Sequence, residues 1–226
     1  MDLNRRTMFA ASTFVAGCLL VPGVAEGAAG GTLRRGDSGA AVRDLQTRLT
    51  KLKYYVGNID GSFGDLTFQG VLAIQKVAGL PRDGIVATKT WAAIDGGTKP
   101  TPRSGSGRAA EVDKARQVLL VVKDGVLLHT LNTSTGSGER YFSGGSWHTA
   151  TTPSGTFKVS RQIDGWRHAE LGDLWRPKYF NGGIAIHGST SVPPVPASHG
   201  CCRVSITAMN HIWSTEVPLG ATVLVY

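Results

Sequence analysis

Between Gly96 and Arg108 the chain reads Gly-Gly-Thr-Lys-Pro-Thr-Pro-Arg-Ser-Gly-Ser-Gly-Arg, without one large apolar side chain. Such a stretch has nothing to bury, so 96–110 reads as an exposed, flexible linker. Apolar spacing differs on its two sides. Before it, apolar residues recur at helical intervals; after it they form short runs bounded by turns. The 226 residues, 41% hydrophobic and 18% charged, have the composition of a folded protein. The expected fold class is multidomain: a small all-α unit over 30–95 and a mainly-β unit over 111–226.

In the first unit, Asp37 or Ser38 is placed to cap a helix. Val42, Leu45, Gln46, Leu49 and Leu52 then share one helical face. Asn58 to Gly64 is a tight glycine- and aspartate-rich loop. A second helix runs from Thr67 to Ala78, with Val71, Leu72, Ile74 and Gln75. After the Asp83-Gly84-Ile85-Val86 turn, Thr88 can cap a third helix carrying Trp91 and Ile94. In the second unit, Gln117–Val122 and Val126–Leu131 flank a Lys123-Asp124-Gly125 hairpin turn. Gly155–Ser160, Gly183–His187 and Ala221–Tyr226 are further strands. Ile206–Ser214 is a lone helix with Ile206, Met209, Ile212 and Trp213 on its apolar face. Many short strands with one helix indicate a β-sandwich or a barrel-like domain.

Ahead of both units, Asn4-Arg5-Arg6-Thr7-Met8-Phe9 has a twin-arginine pattern, followed by an apolar run to Val24 and small residues from Ala25. This reads as an export signal over 1–29, cleaved near Ala25 or Ala29. Alternatively, Val15-Ala16-Gly17-Cys18 resembles a lipobox, and only a lipid on Cys18 would supply a membrane anchor. The protein is expected outside the cytoplasm. Of its three cysteines, Cys201 and Cys202 are adjacent, so no spaced disulfide framework exists. A net charge of +8 favours an anionic partner. The basic residues are scattered and form no nucleic-acid module, so no nucleic acid is expected as a partner.

Chemistry concentrates in Ile186-His187-Gly188 and Ser198-His199-Gly200-Cys201-Cys202-Arg203. A thiol, two imidazoles and a guanidinium are the parts of a nucleophile, its base and an anion contact. Adjacent cysteines fit the spacing of zinc ligands poorly, so no metal is expected.

The order His-Gly, loop, Ser-His-Gly-Cys-x-Arg resembles the YkuD-type L,D-transpeptidases, cysteine enzymes that cross-link peptidoglycan. Thr152–Phe157 and Arg176–Asn181 match further elements of that family. Leu33, Gly36-Asp37-Ser38-Gly39, Leu45-Gln46, Asp60-Gly61, Thr67, Gln75-Lys76, Asp83-Gly84 and Thr90-Trp91 are similar to the three-helix peptidoglycan-binding module. The resemblance implies a β-sandwich catalytic domain with Cys201 as nucleophile, because only Cys201 both follows His-Gly and precedes Arg203 by two. Cys202 fills the usual apolar slot. His187 would be the general base, forming a thiolate–imidazolium pair. His199 would line the pocket or orient Cys201, and Ser198 would hydrogen-bond locally. The N–H groups of Gly200 and Cys201 would form an oxyanion hole. Arg203 would hold a stem-peptide carboxylate or brace the loop. Tyr179, Phe180 and Gly188 would contact substrate, with Trp147 and His148 at the rim.

The implied reaction takes peptidoglycan stem peptides as donor and acceptor through a thioester, joining two third-position diamino acids. It needs no cofactor and predicts acylation by carbapenems. The same site with water as acceptor would be an L,D-carboxypeptidase, and an inert catalytic fold would leave a wall-binding protein.

Overall fold

The computed structural model describes residues 31–226. The export signal and Cys18 lie outside the described residues. Three helices come first: α1 (Ala40–Lys51), α2 (Asp65–Val77) and α3 (Thr88–Asp95). They are followed by β1 (Arg108–Asp113), β2 (Val118–Lys123), β3 (Val126–Asn132), β4 (Arg140–Ser143), β5 (Ser146–Thr149) and β6 (Gly155–Lys158). Next come β7 (Arg161–Gln162), β8 (Trp166–Arg167), β9 (Leu174–Asn181), β10 (Ile184–Ser189), β11 (Cys202–Ser205), α4 (Ile206–Ile212) and β12 (Thr222–Val225).

The helical unit is organised by two buried glutamines playing the same part. Gln46 Nε2 donates to Asp60 Oδ1 (2.8 Å) and Thr67 Oγ1 (3.0 Å), while its Oε1 accepts from Gly61 N (2.8 Å). Gln75 repeats the pattern with Asp83 Oδ1 (2.7 Å), Thr90 Oγ1 (3.3 Å) and Gly84 N (2.9 Å). Each helix thus grips an Asp-Gly turn through one amide, satisfying groups that burial would otherwise orphan. The helix caps differ from expectation. Gly39 and Ala87 occupy the N-cap positions of α1 and α3, and neither supplies a side-chain bond. Asp37 instead accepts from Arg34 N at 2.8 Å, closing the preceding turn.

The β unit is a sandwich. One sheet has the order β3-β2-β1-β12-β6, with β1 and β12 parallel. The other has the order β11-β10-β9-β7, with β8 also on β9 and with β10 and β11 parallel. The turn between β2 and β3 places Asp124 at φ 49° and Gly125 at φ 77°. Two positive φ values in succession are what a tight hairpin requires, and explain why Asp-Gly stands there.

The residues of β2 up to Val122 are buried without alternation. Leu119 and Val121 face the second sheet and α4. Val118, Leu120 and Val122 share a core with Leu45, Leu49, Val71 and Ile74 of the helical unit. A continuous apolar run marks a strand covered on both sides. The first sheet is therefore the middle layer of the whole molecule.

The segment expected to be a flexible linker is tied down at three points, and its last residues belong to β1. Thr98 O accepts from Tyr54 Oη (3.0 Å), Arg103 N donates to the Glu111 carboxylate (2.9 and 3.0 Å), and the Arg103 guanidinium lies 3.4 Å over the Tyr226 ring. Its backbone groups find partners even though its side chains have no core to enter.

Lys76 completes the union of the two units. It leaves α2 and donates to Gln117 O (2.9 Å), Thr133 O (3.0 Å) and Asn132 Oδ1. Burial, aided by Arg82, draws its ammonium down to about 7, yet three acceptors match its three donors and favour the charged form. Lys76→Met would strand those acceptors. We expect it to lower stability by about 3 kcal/mol, read from urea unfolding midpoints. A change below about 0.5 kcal/mol would count against a structural role for this cage.

Candidate active site

The site is built by alternation along two parallel strands. β10 pairs with β11 so that Ile186 lies opposite Cys202, and His187 opposite Arg203. Successive side chains on a strand point to opposite faces. Ile186, Cys202 and Val204 turn into the core, with Cys202 fully buried. His187, Cys201 and Arg203 turn the other way, into a cleft of about 930 Å³. This geometry separates the adjacent cysteines: Cys201 is half-buried and meets the cleft, whereas Cys202 acts as a small core hydrophobe. Both are free thiols.

Cys201 is positioned by its neighbours' backbone. Ala185 N–H donates to Sγ at 3.4 Å, and Gly183 O lies 3.9 Å from Sγ. Ser198 Oγ donates to Cys201 O at 2.5 Å and accepts from Gly200 N at 3.0 Å. The buried Ser198 is thus a strut across the Cys201 turn. Gly200 has φ +137°, and a Cβ there would meet Thr151 O at 3.0 Å, so only glycine fits. Thr152, which the motif reading did not place at the site, donates from Oγ1 to Gly200 O at 2.6 Å.

The crossover from β10 to β11 carries Cys201 at its end and is pinned from below. Ala197 N and Ser198 N both donate to Thr135 O at 3.0 Å. Asn132 Nδ2 donates to Val192 O at 3.1 Å, and Ser134 Oγ to Val195 O at 2.8 Å. Arg82, from the helical unit, reaches Pro194 O at 3.0 Å. Parallel neighbours need a long crossover, and here hydrogen bonds replace the usual helix in fixing it.

His187 is almost wholly buried, and its Nδ1 lies 2.9 Å from Gly188 O. A carbonyl can only accept, so Nδ1 carries the proton and Nε2 is left as the basic atom. Burial pulls the imidazole down to about 4, the Gly188 bond opposing and the Arg203 charge reinforcing this. Burial likewise raises the Cys201 thiol, with Ala185 N–H and Arg203 opposing. Both shifts favour neutral forms. Burial thus pushes both groups away from the thiolate–imidazolium pair that proton transfer to His187 would form. Desolvation outweighs the nearby charge.

The remaining expected residues divide. Arg203 lines the cleft, and among the described residues no carboxylate pairs with its guanidinium. His199 also lines it and packs edge-on against Tyr141, ring centroids 4.7 Å apart, so it belongs to the β4–β5 side of the cleft. Tyr179 lies opposite Ala185 and lines the cleft under the Arg161 guanidinium, 3.7 Å from its ring. Phe180, expected beside it, is a correction. As the next residue on β9 it points inward, buried against Phe157 at 5.5 Å. Gly188 is a second correction. It is not a lining residue of the cleft but gives room to Trp175, whose Cδ1 would lie 2.8 Å from a Cβ. The expected oxyanion hole loses one member, because Gly200 N–H is already given to Ser198. Tyr141, Arg161, Trp166 and Arg167 line the cleft without any local motif to reveal them.

Alkylation of Cys201 by iodoacetamide should accelerate with pH through the ordinary thiol value of 9.0, with no plateau near neutrality. A plateau near about pH 6 would instead report a resting ion pair.

Comparisons with known proteins agree with this architecture. Residues 38–94 match the family model of a peptidoglycan binding domain. The L,D-transpeptidase of Xylanimonas cellulosilytica is 50% identical, with a TM-score of 0.83 covering 86% of this chain and 97% of that one. An L,D-transpeptidase from Stackebrandtia nassauensis, 23% identical with a TM-score of 0.51 over 86% of this chain and 94% of its own, shares the fold. The spore cortex-lytic enzyme of Bacillus cereus is 34% identical over 95 residues, 38% of this chain and 37% of that protein. The chain spans about half or less of the curated relatives it matches, 54% and 37% of the first two. Residues 107–225, more than half of the chain, match the L,D-transpeptidase catalytic domain, and the chain belongs to that family.

Proposed function

We propose that this protein is a cysteine-dependent L,D-transpeptidase acting on peptidoglycan stem peptides. The observation that carries the reading is the shared face of β10 and β11, from which Cys201, His187 and Arg203 enter one cleft. In the first half-reaction, His187 Nε2 takes the thiol proton as Sγ attacks the carbonyl carbon of the third stem residue. The C–N bond to terminal D-alanine breaks, and the departing amine receives that proton. A thioester remains on Cys201. The side-chain amine of a second stem then attacks it, the C–S bond breaks, and the amine proton returns through His187 to sulfur.

Starting from neutral groups suits this sequence. The base has its lone pair available at neutral pH, and charge develops only as the bond forms, inside a partly desolvated cleft. Cys201 N–H is the remaining backbone donor for the tetrahedral oxygen. Arg203, without a carboxylate partner among the described residues, suits a stem-peptide carboxylate. Peptidoglycan is then the partner of both units, with the helical one raising local substrate concentration. We further propose export by the 1–29 segment.

Intact-mass spectrometry after exposure to a carbapenem tests the chemistry. Wild type and Cys202→Ala should each gain one adduct, and Cys201→Ala none. A folded, reduced wild type that gains none would sink the enzymatic reading and leave a wall-binding protein. With a tetrapeptide donor and an amine acceptor, a cross-linked dimer identifies the transpeptidase. Tripeptide and D-alanine alone would identify a carboxypeptidase.

A further inference from the structure

A second group of reactive side chains lies away from the cleft, where the helical unit meets the sandwich. His129 comes from β3, His211 from the last turn of α4, and Glu216 from the segment after it. His129 Nε2 lies 3.0 Å from Glu216 Oε1 and 3.0 Å from His211 Nε2, and His211 Nε2 lies 3.5 Å from the same Oε1. Tyr55 of the helical unit covers them, its ring 4.7 Å from that of His211 and 5.8 Å from that of His129.

We propose that His129, His211 and Glu216 bind a divalent transition-metal ion of the zinc type, clasping β3 to the segment around α4 beneath Tyr55 of the helical unit.

Hydrogen bonds alone do not account for this triangle. Each Nε2 holds either one proton or one lone pair. If both are protonated, two N–H groups confront each other across 3.0 Å. If His129 Nε2 is bare, its lone pair faces a carboxylate oxygen at 3.0 Å. If His211 Nε2 is bare, the single His129 proton must serve both His211 and Glu216. A cation between the three satisfies all of them together. The separations fit as well. Ligands about 2.0–2.1 Å from a tetrahedral zinc lie about 3.3–3.4 Å apart, and a His2Glu set is one that zinc uses with its fourth position open.

A second, independent feature points the same way. Glu216 Oε2 is buried without a hydrogen-bond partner among the described residues, although the carboxylate as a whole sits at the cluster. An ion would engage this oxygen as the second arm of the carboxylate. Solvent access exists through His211, whose side chain is 40% exposed. Imidazole and carboxylate together suit zinc and its neighbours rather than calcium or magnesium.

The consequence is mechanical. One ion would join β3 to the segment around α4, beneath Tyr55, whose N already donates to Thr130 O at 3.1 Å. Ile206, which begins α4, lies against Gly188 of the strand that carries His187. The clasp is independent of the reaction proposed above.

The test uses the untagged full chain, stripped with a chelator and titrated with Zn²⁺ by calorimetry, with thermal unfolding read in parallel. Wild type should bind one equivalent and unfold at a higher temperature with zinc. Cys201→Ala should do the same, which separates this site from the catalytic cleft. His211→Ala and Glu216→Gln should bind more than about 100-fold more weakly, since loss of even an outer-shell partner costs about 10–100-fold. Metal-free, His211→Ala should unfold close to metal-free wild type, because the His211 side chain is 40% exposed. Co²⁺ loaded in place of zinc should give the intense visible bands of a four-coordinate site, absent in both variants. Zinc binding unaffected by His211→Ala, binding abolished by Cys201→Ala, or no binding by wild type would each overturn the proposal.

Discussion

The burial of β2 on both faces is the contact on which the rest of the molecule depends. Val118, Leu120 and Val122 close the helical core, while Leu119 and Val121 close the sandwich. At about 25 cal/mol per Å² of apolar surface, a strand covered on both sides is worth far more than a half-exposed one. It also makes the two units parts of one packed body. The helical unit borrows a sheet as the floor of its core. That sheet, in turn, is kept from water along β2 from Val118 to Val122.

From this floor the site is assembled by backbone and polar side chains more than by packing. The β3 end supplies Asn132, Ser134 and Thr135, and these hold the crossover that delivers Cys201. Lys76 and Arg82 extend the same support from the helical unit. The Cys201 turn is thus braced from two domains at once. Ser198 and Thr152 then lock the turn locally, one through Gly200 N and Cys201 O, the other through Gly200 O. None of these bonds touches the thiol, yet all of them bear on where it stands.

Electrostatics at the site follow from this enclosure. An imidazole and a thiol held out of water both favour their uncharged forms; the Arg203 guanidinium adds to this at His187 and opposes it, as the lesser effect, at Cys201. Reading His and Cys in sequence suggests an ion pair, because the motif conveys proximity and nothing of solvent. The tertiary structure supplies the solvent exclusion, and with it the push of both groups toward their uncharged forms.

Much was legible in the chain before folding. Helical spacing announced α1 and α2, the Asp-Gly pairs announced their turns, and the His-Gly and Ser-His-Gly-Cys-Cys-Arg elements announced Cys201 over Cys202. These are local matters, set by side-chain periodicity, by the φ angles that glycine permits and by motif order. What the tertiary structure alone decided concerns which face each residue shows. Tyr179 meets the cleft and Phe180 the core because strand alternation allows only one of two neighbours to face each way. The stretch 96–107 is fastened because distant Glu111, Tyr54 and Tyr226 accept it. His129, His211 and Glu216, far apart in β3 and around α4, meet only because the sandwich closes. Sequence separation hides such contacts, since no local pattern records which distant surfaces burial of the core will bring together.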